Sequence, residues 1–349
     1  MIKDRGVNGM NVIMVSKWNE YLNHFSDIKK DIYFYEEYVK LYEDEKKAAK
    51  CVICEEEDKI LMMPILVASI EDYYDFETPY GYGGPIANTE DIDWIGKDLE
   101  AMNSYLREEH FVCGFVRFHS LLHNADYCKE HMEVLNDRQT VAIDTSETEE
   151  AIWNNQIISK NRNMIRKAEK NGLEYEADYE FNCLGEFVEL YNATMKRLNA
   201  DEFYFFDKKY YSQFMNNLKG KAFLGTVKKD GELICGAMFM YSKEYGHYHL
   251  EGSNHDYSSF GANNYLLWKT AVEFHNLGVS EFHLGGGYNS SPENSLLKFK
   301  KSFSHNLRDF YIGKMVFNRE KYAELKEQWI KNNPDKRDEY GKLLLCYRY

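Results

Sequence analysis

A short apolar strand, Glu281 to Leu284, runs into Gly285-Gly286-Gly287-Tyr288, and a basic segment, Leu296-Leu297-Lys298-Phe299-Lys300-Lys301-Ser302-Phe303, follows. Three glycines after a strand let the backbone bend sharply and approach a ligand closely. On a helix, Lys298 and Lys301 share one face and Lys300 points elsewhere. A lysine held beside a cleft can steady an oxyanion as it develops. The plain alternative is a tight turn followed by an ordinary basic helix.

Three other groups have types and spacing that could do chemistry. Arg162 and Arg166 fall one turn apart in Lys160-Asn161-Arg162-Asn163-Met164-Ile165-Arg166-Lys167, so their guanidinium groups could grip a diphosphate together. The alternative there is a solvated helix with Met164, Ile165 and Ala168 facing the core. His247 and His249 share a face of one strand, with Glu251 and His255 near them in sequence. That pattern fits a polar cleft wall better than a metal site. His119 and His123 have the spacing of one helix face. Cys51 and Cys54 have CxxC spacing, but a β-like run would send them to opposite sheet faces, and no second ligand pair follows at zinc-like spacing. No metal is expected. Neither a GxSxG elbow nor a GxxxxGK[ST] phosphate loop is present.

The elements that must position these groups come in two similar series. Apolar runs Ala48 to Cys54 and Ile60 to Ile70 flank an acidic turn, as a hairpin does. A Gly- and Tyr-rich loop (Pro79 to Pro85), an amphipathic helix (Asp91 to Glu109) and a strand (Phe111 to Phe118) follow. A strand at Arg138 to Ile143 is expected to close this half. Short helices are expected before it, around Trp18 to Phe25 and Tyr33 to Tyr42. The second series opens with a long helix running from Thr145-Ser146-Glu147 to Lys170, ended by Asn171-Gly172. Helices at Leu184 to Leu198 and Asp207 to Leu218 come next. Strands Ala222 to Val227, Glu232 to Tyr241 and Tyr245 to Gly252 lead to a helix at Gly261 to Leu277. Arg319 to Leu345 reads as helical and charged. The repeat is one of order, not of residues.

The totals narrow the class. With 349 residues, 44% of them hydrophobic, the chain has enough apolar area for two domains. A net charge of −14 argues against a broad basic face for coating DNA. No run reaches the roughly 20 apolar residues of a membrane span, and the N-terminus lacks a signal-peptide core. The seven scattered cysteines read as reduced core thiols. Together these point to the cytoplasm, with peripheral membrane contact left open.

The region from Asn161 to Gly313 resembles the Fem family of peptidoglycan-precursor aminoacyltransferases and the acetyltransferase-fold (GNAT-like) proteins grouped with it. The residues that carry the resemblance start with the basic helix Asn161 to Gly172 and Leu190-Tyr191 with Thr194 and Arg197. His249-Leu250-Glu251-Gly252-Ser253 and Asn264 to Trp268 follow. Phe282 to Gly286, Phe299 to Phe303 and Tyr311-Ile312-Gly313 complete the set. In the first half, Pro79 to Pro85 and Val116-Arg117-Phe118-His119 look like proteins found beside polysaccharide genes.

The resemblance implies an α/β fold of two tandem GNAT-like domains, each a mixed twisted sheet flanked by helices. The domains would be 1–144 and 145–317, the second carrying the active cleft, with helices of 318–349 returning to the first. It implies transfer of an acyl or aminoacyl group to an amine of a nucleotide-linked or lipid-linked cell-envelope precursor, a muropeptide or an amino sugar. Lys300, beside Phe299, would stabilise the tetrahedral intermediate. Arg162, Arg166, Arg197, Tyr204, His249, Glu251, Gly286 and Tyr288 would hold substrate. Aminoacyl-tRNA, through its acceptor end, is the expected co-substrate, with no tightly bound cofactor. Acyl-CoA is the alternative donor, for an N-acetyltransferase acting on an amino sugar, with Gly261 and Asn263 at its pyrophosphate. Here the sequence departs from the acetyl-CoA pattern: Ser258-Ser259-Phe260-Gly261-Ala262-Asn263 keeps the glycine and lacks the arginine and the second small residue. Pro85 likewise removes a backbone donor from the first-half loop. A catalytically silent precursor-binding protein is the reading from another class.

Overall fold

The computed structural model describes residues 5–7, 10–291 and 293–349. The chain divides into two compact units, one drawn from Met1–Asp137 and Phe310–Tyr349, the other from Arg138–Asp309.

The first unit opens with β1 (Arg5–Val7) and β2 (Met10–Val15), paired antiparallel. Two short helices follow, α1 (Asn19–Leu22) and α2 (Glu36–Val39). They are briefer than the expected segments because 3-10 turns at Asp27–Lys29, Ile32–Phe34 and Lys40–Tyr42 take up the rest. The hairpin β3 (Lys47–Glu56) and β4 (Lys59–Ile70) turns at Glu57-Asp58. Antiparallel to β4 lies β5 (Tyr73–Glu77), and the two-residue β6 (Ile86–Ala87) pairs with β4 further along. Asp91 caps α3 (Ile92–Glu108) by accepting from the Trp94 N–H at 3.1 Å. Trp94, Ile95, Leu99, Met102 and Leu106 recur at helical spacing and bury one face of α3 in the core with Val52, Leu61 and Phe111. Strand β7 (Phe111–Arg117) then pairs parallel with β5. His119 and His123 share no helix: both lie in the turns after β7, and His123 has a positive φ.

The second unit takes β8 (Glu133–Asp144) from Arg138 onward. The strand expected to close the first half therefore belongs with the second. Its apolar alternation marked a strand, and its antiparallel register with Phe282 and His283 of β13 ties it to the second unit. The expected long helix is also broken. Only α4 (Glu149–Ala151) and a π-helical turn (Ile152–Gln156) precede extended residues Ile157 and Ile158, and α5 (Ser159–Lys170) starts afresh. The carbonyls freed by the break find a donor in Arg162, whose guanidinium reaches Trp153, Asn154 and Ile157 oxygens at 3.1, 3.3 and 2.5 Å. Then come β9 (Leu173–Asp178), α6 (Leu184–Arg197), α7 (Lys208–Asn217), β10 (Ala222–Lys229) and β11 (Glu232–Tyr241). After them lie β12 (Tyr245–Ser253), α8 (Ala262–Asn276), β13 (Glu281–Gly286) and α9 (Ser295–Lys301). Strand order is β8-β13-β12-β11-β10-β9, antiparallel except for the parallel β12–β13 pair. Leu266, Leu267, Ala271 and Phe274 of α8 anchor the core on one sheet face.

The chain returns through β14 (Asn306–Val316), whose last part pairs antiparallel with β7. Next are α10 (Arg319–Asn332) and α11 (Arg337–Tyr340). The helix expected over Arg319 to Leu345 stops at Asn333 because Pro334 has no N–H to continue the ladder. Leu344 and Leu345 pack on Cys113 of β7. All seven cysteines are buried free thiols. Among the described residues no helix is long and apolar enough to cross a membrane.

Candidate active site

The site follows from where strand pairing stops. β12 and β13 pair only at Tyr245, Gly246 and His247 with Glu281, Phe282 and His283. Past that point β12 stays bonded to β11 as far as Ser253, and β13 stays bonded to β8 as far as Gly286. The two strands share no further ladder, so a gap opens between Tyr248–Ser253 and Leu284–Gly286.

Lys300 spans that gap. Its position in the last turn of α9, opposite exposed Lys298, turns it inward, and it is only 7% exposed. Nζ donates to the Gly286 carbonyl of β13 at 2.7 Å and lies over the Tyr248 ring of β12, 5.5 Å from its centre. Burial drives the Lys300 pKa down to about 7, against an opposing pull from Glu251. Burial raises the Glu251 carboxyl in turn, against the lowering effects of Ser253, Arg197, Asn263 and Lys300. Asn263 Nδ2 donates to Glu251 Oε1 at 3.1 Å, and the Cys235 thiol donates to Asn263 Oδ1 at 3.2 Å. An ammonium poised near neutrality, a carboxyl poised above its ordinary value and two strands held apart can together bind a carbonyl and move a proton.

A bulge assembles this cluster. Phe239 faces Tyr248 and Met238 faces Leu250, which leaves His249 as an extra residue in β12. Tyr248 and Glu251, three apart, would point to opposite faces of a regular strand. The extra residue puts both on the face of Phe239 and Ala237, where α8 and Lys300 lie. His249 turns to the other face, stacked on Phe214 of α7 (5.6 Å, 11°) and bonded to the Tyr210 hydroxyl at 2.6 Å. Burial, and next His247, push its pKa down to about 3.

The structure brings Lys300, Glu251, Gly286 and Asn263 together, and it adds Tyr248 and Cys235, which sequence reading missed. Phe299 packs partly buried against Phe303 and the core. Arg197, exposed at the end of α6, acts on Glu251 through its charge. Arg162 is occupied by the carbonyls before α5. Arg166 lies over the Trp153 ring at 5.3 Å and donates to Asn163 at 3.2 Å, so the two arginines form no shared anion grip. Tyr204 is 36% and Tyr288 67% exposed, away from the Lys300 cluster's hydrogen bonds. Gly261, in the left-handed region, is packed against the Met164 carbonyl, where a Cβ would come within 2.7 Å.

A hairpin, a splayed parallel strand pair and a helix crossing between its two strands define the acetyltransferase class of α/β fold. Residues 159–301 match the family model described as an acetyltransferase (GNAT) domain. The crystal structure of FemX superposes with a TM-score of 0.69 at 14% identity, over 86% of this chain and 97% of that one. The C-terminal domain (DUF2156) of a protein described as a lysylphosphatidylglycerol synthetase, from Agrobacterium fabrum, gives 0.55 at 15% identity, over 89% and 97%. A tandem GNAT protein from the clavulanic acid biosynthesis pathway gives 0.50 at 8% identity, over 88% and 99%. At these identities the likeness is one of fold. No protein of curated function matches in sequence. The chain has an acetyltransferase-like fold, with the GNAT family match confined to residues 159–301.

Proposed function

We propose that this protein is an acyltransferase that moves an acyl or aminoacyl group onto an amine of a cell-envelope precursor. The observation that carries the proposal is the buried Lys300 ammonium bridging the gap between β12 and β13, beside the Glu251 carboxyl. The acceptor nitrogen attacks the donor carbonyl and forms the new C–N bond. Charge gathers on the carbonyl oxygen, and Lys300 stabilises it in a site dry enough to make the interaction strong. The amine proton passes to Glu251 and then to the leaving oxygen or sulfur as its bond to carbon breaks. Gly286 holds Lys300 by its carbonyl, and Arg197 offers a cation for a phosphate or carboxylate of the substrate.

The Fem-family resemblance of Asn161 to Gly313 supports a nucleotide-linked or lipid-linked muropeptide as acceptor and aminoacyl-tRNA as donor. The GNAT match over residues 159–301 favours a second reading, acyl-CoA as donor and an amino sugar as acceptor. Mass spectrometry of cell-wall precursors and surface glycans, with and without the protein, separates them. A residue missing from a stem peptide supports the first, and an acyl group missing from a sugar supports the second. Unchanged precursors and glycans would contradict both. Calorimetry with CoA adds a direct check, since micromolar binding would move the donor assignment to the second reading.

A further inference from the structure

His249 stood in the sequence as a candidate to touch substrate, yet its ring points away from Lys300. Its surroundings are those of an anchor. The half-buried imidazole lies on the α6–α7 side of the sheet, stacked flat on Phe214 and bonded to Tyr210 at 2.6 Å. Burial keeps it neutral at any working pH. Phe206 stacks on Tyr210 in turn, 4.1 Å between ring centres, so the contact is braced by the residues leading into α7.

We propose that His249, held by Tyr210 and Phe214, is a positioning residue that keys the β12 bulge and so presents Tyr248 and Glu251 to Lys300. The argument is one of register. A strand without the extra residue sends Tyr248 and Glu251 to opposite faces. With it, both lie on the Lys300 side, and their direct partners across β11, Phe239 and Ala237, belong to the core on that face. A bulge leaves its extra residue unpaired and re-aims the side chain, which can then be held by contacts outside the ladder. The flat stack and the short hydrogen bond to α7 supply those contacts. The inference rests on Lys300 being the centre of the proposed reaction, but it can be tested without any reaction.

The test is the pH dependence of acetic anhydride labelling of Lys300, read by mass spectrometry against exposed Lys298 in the same protein. The groups facing Lys300 are Tyr248 and Glu251 of β12 and the Gly286 carbonyl of β13. His249→Leu removes the bond and the flat stack. Loss of the bulge then takes the Tyr248 ring off Lys300 and lets water in. Relief of burial outweighs loss of the Glu251 attraction, so the ammonium is favoured and its labelling at pH 7 falls about fivefold for a rise of one in pKa. Tyr210→Phe keeps the ring and drops the bond, and a smaller fall in the same direction is expected. His249→Gln can still bond the Tyr210 hydroxyl, and labelling should return towards the native profile.

An unchanged Lys300 profile in folded His249→Leu overturns the proposal. Should that variant not fold, an unchanged profile in Tyr210→Phe does the same. A normal profile in both variants alongside a transferase dependent on Lys300 would sink the positioning role and leave the proposed function standing. A shifted profile in a protein that transfers nothing would do the reverse.

Discussion

The two units carry the same run of elements and use it in opposite ways. In each, a hairpin leads to a strand that pairs parallel with the next, across an intervening helix: β3-β4-β5 to β7 around α3, and β10-β11-β12 to β13 around α8. In the first unit the parallel pair stays shut. Glu77 pairs with Phe115, Thr78 N–H donates to the Phe115 carbonyl at 2.9 Å, and Gly83 bridges to Phe118 beyond. The Phe76 ring lies where a side chain on Gly114 would be. In the second unit the pair parts after three residues on each strand and Lys300 enters the space.

Charge follows the same division. Asp75 in β5 is fully buried, yet it accepts from Arg348 and, at 2.9 Å, from the Tyr347 hydroxyl. Burial would raise the Glu77 pKa, but Arg117, Arg348 and Lys47 together hold it below the ordinary carboxylate value. These charges are neutralised in place. Lys300 and Glu251 are instead left with their pKa values moved towards neutrality. A shut pair with saturated charges stabilises a fold; an open pair with unsaturated ones is poised for chemistry.

The sharpest way to break this comparison is to remove one cation from each unit. Arg348→Ala leaves Asp75 buried without its ion partner, and a loss of about 3–5 kcal/mol is expected by analogy with broken buried pairs. Lys300→Met replaces a penalised buried charge with an apolar side chain of similar length, so its melting temperature should equal or exceed the native one. Calorimetry of both variants settles the matter, and destabilisation by both to the same extent would erase the contrast.

A smaller effect tests the shut pair itself. Gly114→Ala drives a Cβ into the Phe76 ring and should cost about 1–3 kcal/mol in denaturant unfolding. A neutral result would mean the pair yields more than its packing suggests.

The smallest effect is a pH trend. Lys300 has a folded pKa near 7 against an ordinary 10.5, so between those values the unfolded chain binds more protons. Its contribution to stability therefore rises with pH across that window and is least favourable below it. The melting-temperature advantage of Lys300→Met should accordingly shrink from pH 6 to pH 9, and an advantage that grows would reverse the sign of the account.

Local patterns in the sequence carried much of this. Both hairpins were legible because apolar runs met turns such as Lys228-Lys229-Asp230-Gly231. Asn171-Gly172 marked a helix end by its known chemistry. Lys300 stood out by the resemblance more than by its own spacing, since three lysines crowd one short helix. What stayed hidden depended on partners distant in the chain. The Asp75–Arg348 pair spans 273 residues. The role of Arg162 could not be read from helical spacing, because the break at Ile157-Ile158 that supplies its acceptors was itself unseen. The bulge at His249 was invisible for a related reason: strict alternation gave no sign that Tyr248 and Glu251 would share a face. β9 went unread as well, although Leu173, Tyr175 and Ala177 alternate along it and face the core, because the charged residues between them diluted a run of only six.

The central claim is that Lys300 is the reaction centre. The most direct measurement is single-turnover transfer by purified Lys300→Met, set against the native protein, with the acceptor and donor identified from precursor mass spectrometry. Loss of an oxyanion-stabilising group predicts a fall of about 100-fold or more in the rate of transfer with acceptor binding retained. A variant that transfers at the native rate would contradict the account.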